Sequence, residues 1–297
     1  MEKLPGSLPE RNEGEELFET ALRFLRDLSS IESLSGQEDE IRDFLIKELL
    51  DCGVESNVDE AGNLWVDSSS PEGEILLCAH MDKVGRGCEL RAVGSRVRGR
   101  LDDAIGLSVI LALIKNGLRP SVVFTVEEES DIETFAKGKR AMIKRKSMRG
   151  LNYGARTAAV KIDKGEKRSP KLTVVVDITK QQKPGTRPVI YSSSKTFGFP
   201  IEPLKDVQRL LQGEGLKAIY QAGQANDSIE FSFLKDQGVI TVEVPVDNYH
   251  TENEEAEKKD IVEALAIVKA IVRGHARIGR AKGRMPHAGE KKGPFAL

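Results

Sequence analysis

Ile75-Leu-Leu-Cys-Ala-His80-Met-Asp82 is a run of apolar residues that stops at a histidine and a carboxylate. Such a run predicts a buried strand, and in open α/β sheets ligands collect beyond the carboxyl ends of the strands. Four other stretches share the design. Gly99-Arg-Leu-Asp102-Asp103 opens a helix; Ser121-Val-Val-Phe-Thr-Val-Glu-Glu128-Glu129 is an apolar run closing on acids; Leu172-Thr-Val-Val-Val-Asp177 is another; and Val239-Ile-Thr-Val-Glu-Val-Pro-Val246 is followed by Tyr249-His250. If these runs are neighbouring strands, two histidines and several carboxylates converge, a donor set that suits a pair of divalent, zinc-like cations.

The 297 residues can bury a full core in one large α/β domain or two smaller ones. Charged residues make up 31% and hydrophobic residues 39%, the balance of a soluble globular protein. A net charge of −2 argues against wholesale nucleic-acid binding. Cys52, Cys78 and Cys88 have neither metal-ligand spacing nor the look of a disulfide framework, which predicts a reducing, cytoplasmic setting. Met1 to Leu17 lacks the apolar centre of a signal peptide, and no run of about 18 apolar residues offers a membrane span.

In chain order, residues 1–14 read as a loose polar leader and 15–278 as one domain. Leu17, Ala21, Phe24, Leu25 and Leu28 share a helical face; Ser35-Gly-Gln-Glu38 has capping-box spacing before a second helix with Ile41, Phe44, Leu45 and Leu49. Val54 to Val66 reads as a hairpin. Ala104 to Ile114, apolar nearly all round, reads as a buried helix ending at Asn116-Gly117. Residues 131–171 read as a loop: Lys137 to Arg149 is basic with no acid, and Gly138, Gly150 and Gly154 punctuate it. Further on, Val189 to Ser192 and Lys217 to Ala222 read as strands, and Glu202 to Gln212 as a helix. Asn226-Asp227-Ser228 can cap a helix through Lys235, and Lys258 to Ile278 reads as a long closing helix. Residues 279–297 read as a frayed tail. The alternation of strands and helices predicts an α/β fold with a doubly wound, mainly parallel sheet and helices on both faces.

Two cations a few ångströms apart need one carboxylate between them, because a bridging group screens their repulsion while serving both. Asp102, held at a helix start, is the candidate bridge. His80 and Asp177 complete one site and Glu129 and His250 the other, leaving each metal three protein ligands and an open place for a shared water. Glu128, pointing away from Glu129, is then free to take a proton from that water and return it to a leaving amine. Asp82 suits a supporting role in orienting the His80 imidazole. Asp103 either caps the helix or supports the bridge from behind. Each residue alone has a plainer reading: His80 as an ordinary satisfied histidine, Asp102 as a helix cap, Glu127 to Glu129 as a solvated acid run, Asp177 as a turn cap. Their conjunction favours the metal centre, since the chain has four histidines and two fall where the scheme needs them; His275 and His287 read as surface residues.

Leu77-Cys-Ala-His-Met-Asp-Lys-Val-Gly85, Leu101-Asp-Asp-Ala-Ile-Gly106, Phe124-Thr-Val-Glu-Glu-Glu129, Val176-Asp-Ile-Thr179 and Tyr249-His250 resemble, in order, the metal-binding motifs of the co-catalytic dinuclear zinc aminopeptidases. The nearest branch looks like the glutamyl and deblocking aminopeptidases that form tetrahedral assemblies, and Ser35 to Glu38 and Asp59-Glu-Ala-Gly-Asn63-Leu are typical of it and of related carboxypeptidases and deacylases. The likeness spans most of residues 15 to 275. It implies the ligand set above, Glu128 as general base, zinc or cobalt as the metal, and hydrolysis of a peptide or amide bond in a short peptide. Asp rather than Glu at 177 leans toward peptides; a deacylase or amidohydrolase acting on N-acylated amino acids, with Lys137 to Arg149 meeting an acidic carrier or acyl group, is the alternative, and a catalytically silent scaffold a third. The barrel domain that this branch usually inserts between the positions of His80 and Asp102, and the lid that the carboxypeptidase and deacylase relatives insert after the position of Asp177, do not fit in the residues present. The resemblance therefore implies no separate lid or dimerisation domain here, the assembly is not carried over, and a homo-oligomer stays open. Ser130-Asp131 also stands where an apolar residue and glycine are common.

Overall fold

The run at 75–80 is a strand, β3 (Ile75–His80), buried at every position. The structure is a computed structural model that describes residues 13–129, 152–192, 202–222, 227–234 and 237–279. Before β3 come helices α1 (Glu13–Ser30) and α2 (Asp39–Asp51) and the short strands β1 (Asn57–Val58) and β2 (Leu64–Val66). After it come β4 (Arg91–Val93), β5 (Arg96–Gly99), α3 (Ala104–Lys115), β6 (Ser121–Thr125), α4 (Tyr153–Asp163), β7 (Leu172–Thr179) and β8 (Val189–Ser192). The chain continues through α5 (Glu202–Gly213), β9 (Ile219–Ala222), α6 (Ser228–Phe231), β10 (Gly238–Asp247), β11 (Glu254–Glu257) and α7 (Lys258–Arg273).

The strands form one sheet whose centre, β6-β3-β7-β10, is parallel. His80 pairs with Thr125 and Asp177 with Glu243, so the ends of these strands lie along one edge. Antiparallel pairs flank the centre: β2 and β1 on one side, β11, β5 and β4 on the other. Strand alternation divides the core in two. Ile75, Leu77 and Ala79 join Val122, Phe124, Leu172, Val174 and Val176 in packing against α1, α2, α3, α5 and α7. Leu76 and Cys78 join Val123 and Val175 on the opposite face, with Ala155, Ala158 and Ala159 of α4 and Phe231 of α6. Helices therefore cover both faces, as a sheet of continuous apolar strands requires.

The helix α3 is apolar all round because it is enclosed all round; only Lys115 emerges. Asp103 caps it, the Gly106 amide donating to Asp103 Oδ1 at 2.8 Å. Beyond β3 the chain is tied back to the end of α1: the Lys83 ammonium is fully buried and donates to the carbonyls of Leu28 and Ile31. Burial there pushes the Lys83 amine down to about 7.

Several expectations are corrected. Helix α1 starts at Glu13, inside the stretch expected to be leader; residues 1–12 lie outside the described residues. Ser35 and Glu38 form no capping box: Glu38 itself precedes α2 without a side-chain cap, its carboxylate accepting from the Gly36 and Glu127 amides, while the Ser35 hydroxyl donates to Asp82. Within the loop expected at 131–171, Tyr153–Asp163 is helix α4, because Ala155, Ala158, Ala159 and Ile162 share a face small enough to lie close against the sheet. The basic run Lys137 to Arg149 and Ser130-Asp131 fall outside the described residues, as do Asn226, Lys235 and residues 280–297, His287 among them. Asp227 does not cap a helix through Lys235: α6 is one turn, and the Asp227 carboxylate accepts instead from Thr125 and Cys78. The closing helix ends at Arg273, followed by a 3₁₀ turn at His275–Arg277. No helix among the described residues is long and apolar enough to cross a membrane.

A β-carbon added at Gly106 would sit 2.4 and 2.5 Å from the Asp103 carboxylate oxygens and 2.5 Å from the Val176 carbonyl oxygen, so the cap or the strand must move. Gly106→Ala is expected to lower stability by about 1–3 kcal/mol, the usual cost of overpacking a tight site. Chemical denaturation measures it, and unchanged stability would show that this close approach is not needed.

Candidate metal centre

Every side chain of the centre comes from a chain segment leaving the same sheet edge. His80 closes β3; Glu127 to Glu129 follow β6; Asp177 lies near the end of β7; Tyr249-His250 follows β10; and Asp102-Asp103 joins β5 to α3 through a cis peptide. All five carboxylates and imidazoles proposed as ligands are drawn together. His80 Nε2 is 3.1 Å from Asp102 Oδ1 and 3.9 Å from Asp177 Oδ1. His250 Nε2 is 3.0 Å from Asp102 Oδ2 and 3.2 Å from Glu129 Oε1. One carboxylate thus faces the two imidazoles, an oxygen to each.

Donor atoms of His80, Asp102 and Glu129 lie within 4.8 Å of one another, and so do those of His80, Asp103 and Asp177. Asp103 caps α3, and its carboxylate also joins His80 and Asp177 as a candidate donor, a role not expected of it; His250 falls in neither group. Asp102 Oδ2, Asp103 Oδ2, Glu129 Oε2 and His250 Nε2 are buried with no hydrogen-bond partner; the 3.0 Å approach of His250 to Asp102 lacks hydrogen-bonding direction. Orphaned buried polar atoms are costly, and a cluster of such atoms suits cations held among them.

The charges point the same way. Burial, then Glu129 beside it, hold the Glu128 carboxyl well above its ordinary range. Burial and then Asp102 do the same for Glu129, and burial and then Asp177 for Asp103. Burial would also lift Asp102, but His250 and His80 hold it below the usual carboxylate range. Burial opposes charge on His80, yet Asp102 and Asp82 raise its imidazole well above the ordinary value. A divalent cation beside these groups would supply the positive charge that the buried acids require. The residues present therefore fit such ions.

Asp82 faces the His80 ring with its carboxylate and also with its main-chain carbonyl. The strand stops at His80, and His80 Nδ1 meets the main-chain carbonyl of Asp82 at 2.8 Å, leaving Nε2 for Asp102. The Asp82 carboxylate, with Oδ1 3.4 Å from Nδ1, accepts from the Glu128 amide at 3.0 Å, the Glu129 amide at 2.9 Å and the Ser35 hydroxyl at 2.6 Å. It fixes the backbone that carries both acids. Asn63 helps from below, its side-chain oxygen accepting from the Val126 amide at 3.2 Å.

Two participants were given no role from the sequence. Tyr249 stacks on the His250 ring at 3.6 Å between centroids, under the Lys180 ammonium. Glu254 is fully buried and accepts from the Leu101, Asp102 and His250 amides. In sequence Glu254 sits in an acid-rich run; the alternation of β11, with Glu254 and Ala256 buried between exposed-side neighbours, is the signal that marks it.

No family model matches the chain. A LysW-lysine/LysW-ornithine hydrolase of Pyrococcus abyssi is 32% identical over 125 residues, 41% of this chain and 36% of that protein. An aminopeptidase of Acetivibrio thermocellus is 36% identical over 73 residues, 25% of this chain and 21% of that protein. The matched stretches thus span about a third or less of those relatives. Among solved structures, the TET1 peptidase of Pyrococcus horikoshii, which assembles into a tetrahedron or an octahedral shell, superposes with a TM-score of 0.64 at 17% identity, covering 85% of this chain and 99% of that one. The chain has the peptidase fold of that neighbour.

Proposed function

We propose that the protein is a metal-dependent hydrolase of peptide or amide bonds, an aminopeptidase releasing N-terminal residues from short peptides. The observation that carries this is the Asp102 carboxylate, buried, with one oxygen toward His80 and the other toward His250. Two divalent ions, zinc first and cobalt second, would be held by His80, Asp177 and Asp102 and by Glu129, His250 and Asp102. When bound, such ions polarise the scissile carbonyl and acidify water. Glu128 takes the proton of the attacking water and delivers it to the departing amine. Burial and the Glu129 carboxylate beside it raise the affinity of Glu128 for a proton, the direction that a general base of this kind needs. Asp82 keeps Glu128 and Glu129 in register while orienting His80 through its own carbonyl.

A second reading, hydrolysis of an N-acylated amino acid or of an amide to an acidic carrier, is favoured by the Pyrococcus abyssi relative and by the basic run Lys137 to Arg149. Self-association, a property of the TET1 peptidase, and a cytoplasmic setting, which suits three free cysteines, belong to the same proposal.

Elemental analysis of protein dialysed after zinc loading is expected to give two ions per chain; none would leave the scaffold reading standing. Aminoacyl p-nitroanilides assayed beside N-acylated amino acids separate the two activities, with turnover expected on the former. Glu128→Gln is expected to keep its metal and lose roughly a hundredfold or more in turnover. Normal turnover in that variant would remove Glu128 from the role of base.

A further inference from the structure

Glu254 opens β11, which pairs with β5 so that Glu254 lies opposite Gly99. From Gly99 the chain runs directly to Asp102, and four residues before Glu254 stands His250. The Glu254 side chain spans both segments. Its Oε2 accepts from the Leu101 amide at 2.7 Å and the Asp102 amide at 3.1 Å; its Oε1 accepts from the His250 amide at 2.7 Å. The residue is fully buried, so water does not compete for these donors.

His250 needs such support. Its φ of 62° places a non-glycine residue in the left-handed region, two residues after Asn248 at 56°, a conformation that persists only when surrounding contacts hold it. Among the described residues no other acceptor for the His250 amide is found, whereas the ring itself is steadied by Tyr249. The geometry points to Glu254 as a positioning residue that locks His250 to the Asp102 segment, and thereby sets the affinity of the Glu129–His250 cation site more than that of the His80–Asp177 site. This rests on the metal centre proposed above.

The asymmetry follows from counting donors. Glu254→Gln retains one acceptor oxygen and gains an NH₂ that cannot accept. Two amides, Leu101 and Asp102, compete for that oxygen against one, His250, so the amide oxygen stays with the pair and the His250 N–H loses its partner. A backbone held in the left-handed region then relaxes, and the imidazole leaves its place beside Glu129. His80 and Asp177 reach the centre from β3 and β7 and are not held by Glu254.

Calorimetric titration of the metal-stripped full chain with zinc tests this directly. Wild type is expected to bind two ions; Glu254→Gln one with wild-type affinity and one about 10–100-fold more weakly, the usual effect of removing a partner that orients a ligand. His250→Ala, which removes the ligand alone, is expected to show the same pattern. Glu254→Asp, too short to reach both segments, keeps the charge and is expected to behave like Glu254→Gln, so it carries the test if the glutamine variant does not fold. Wild-type affinity at both sites, equal weakening of both, or failure of both Glu254 variants to fold would each overturn the assignment. Absence of zinc binding by wild type is a separate failure, of the metal centre itself.

Discussion

A single carboxylate flanked by two imidazoles sets the arrangement of this protein. Asp102 is buried, and its oxygens approach His80 and His250 at 3.1 and 3.0 Å. To bring the two histidines to one acid, β3 and β10 must end at the same sheet edge with only β7 between them, and the buried helix α3 must begin at that edge. The parallel order of the central strands accomplishes this, because parallel strands present all their carboxyl ends together. The same edge gathers Asp103, Glu128, Glu129 and Asp177, an accumulation of buried acids that folding alone does not favour.

Two further buried carboxylates keep that accumulation ordered, and both accept from more than one backbone amide. Asp82 accepts from the amides of Glu128 and Glu129; Glu254 accepts from those of Leu101, Asp102 and His250. Each ties together loops that come from different strands. The segments they hold include residues in the left-handed region, Glu127 at φ 57° and His250 at φ 62°, as expected where local conformation serves a site. Asp102 Oδ2 and Glu129 Oε2 stay without a hydrogen-bond partner while their backbone amides are held.

Much of this was legible in the sequence because buried parallel strands are unbroken apolar runs, and what stops each run is conspicuous. His80, Asp177 and the acids after Phe124 could be read that way, and α3 declared itself by being apolar on every side. Support was harder to see. The route taken by Asp82 depends on β3 stopping at His80, which no periodicity reveals. Ser35 and Glu38 have the spacing of a helix cap, yet their side chains are drawn to Asp82 and to the Glu127 amide, tertiary partners that outcompete the local one. Helix α4 was hidden by its small residues and by the basic run before it, since alanines carry little amphipathic contrast even where they pack closely on a sheet. Glu254 was hidden in an acid-rich run, and the pairing of β11 with β5 turns it inward.

The proposed function rests on Asp102 being shared between two cations. Anomalous diffraction at the zinc edge, from crystals of the wild-type chain grown with zinc, addresses it most directly. The expected map has two peaks on either side of the Asp102 carboxylate, one toward His80 and Asp177 and the other toward Glu129 and His250. A single peak, or peaks that do not touch Asp102, would contradict the account.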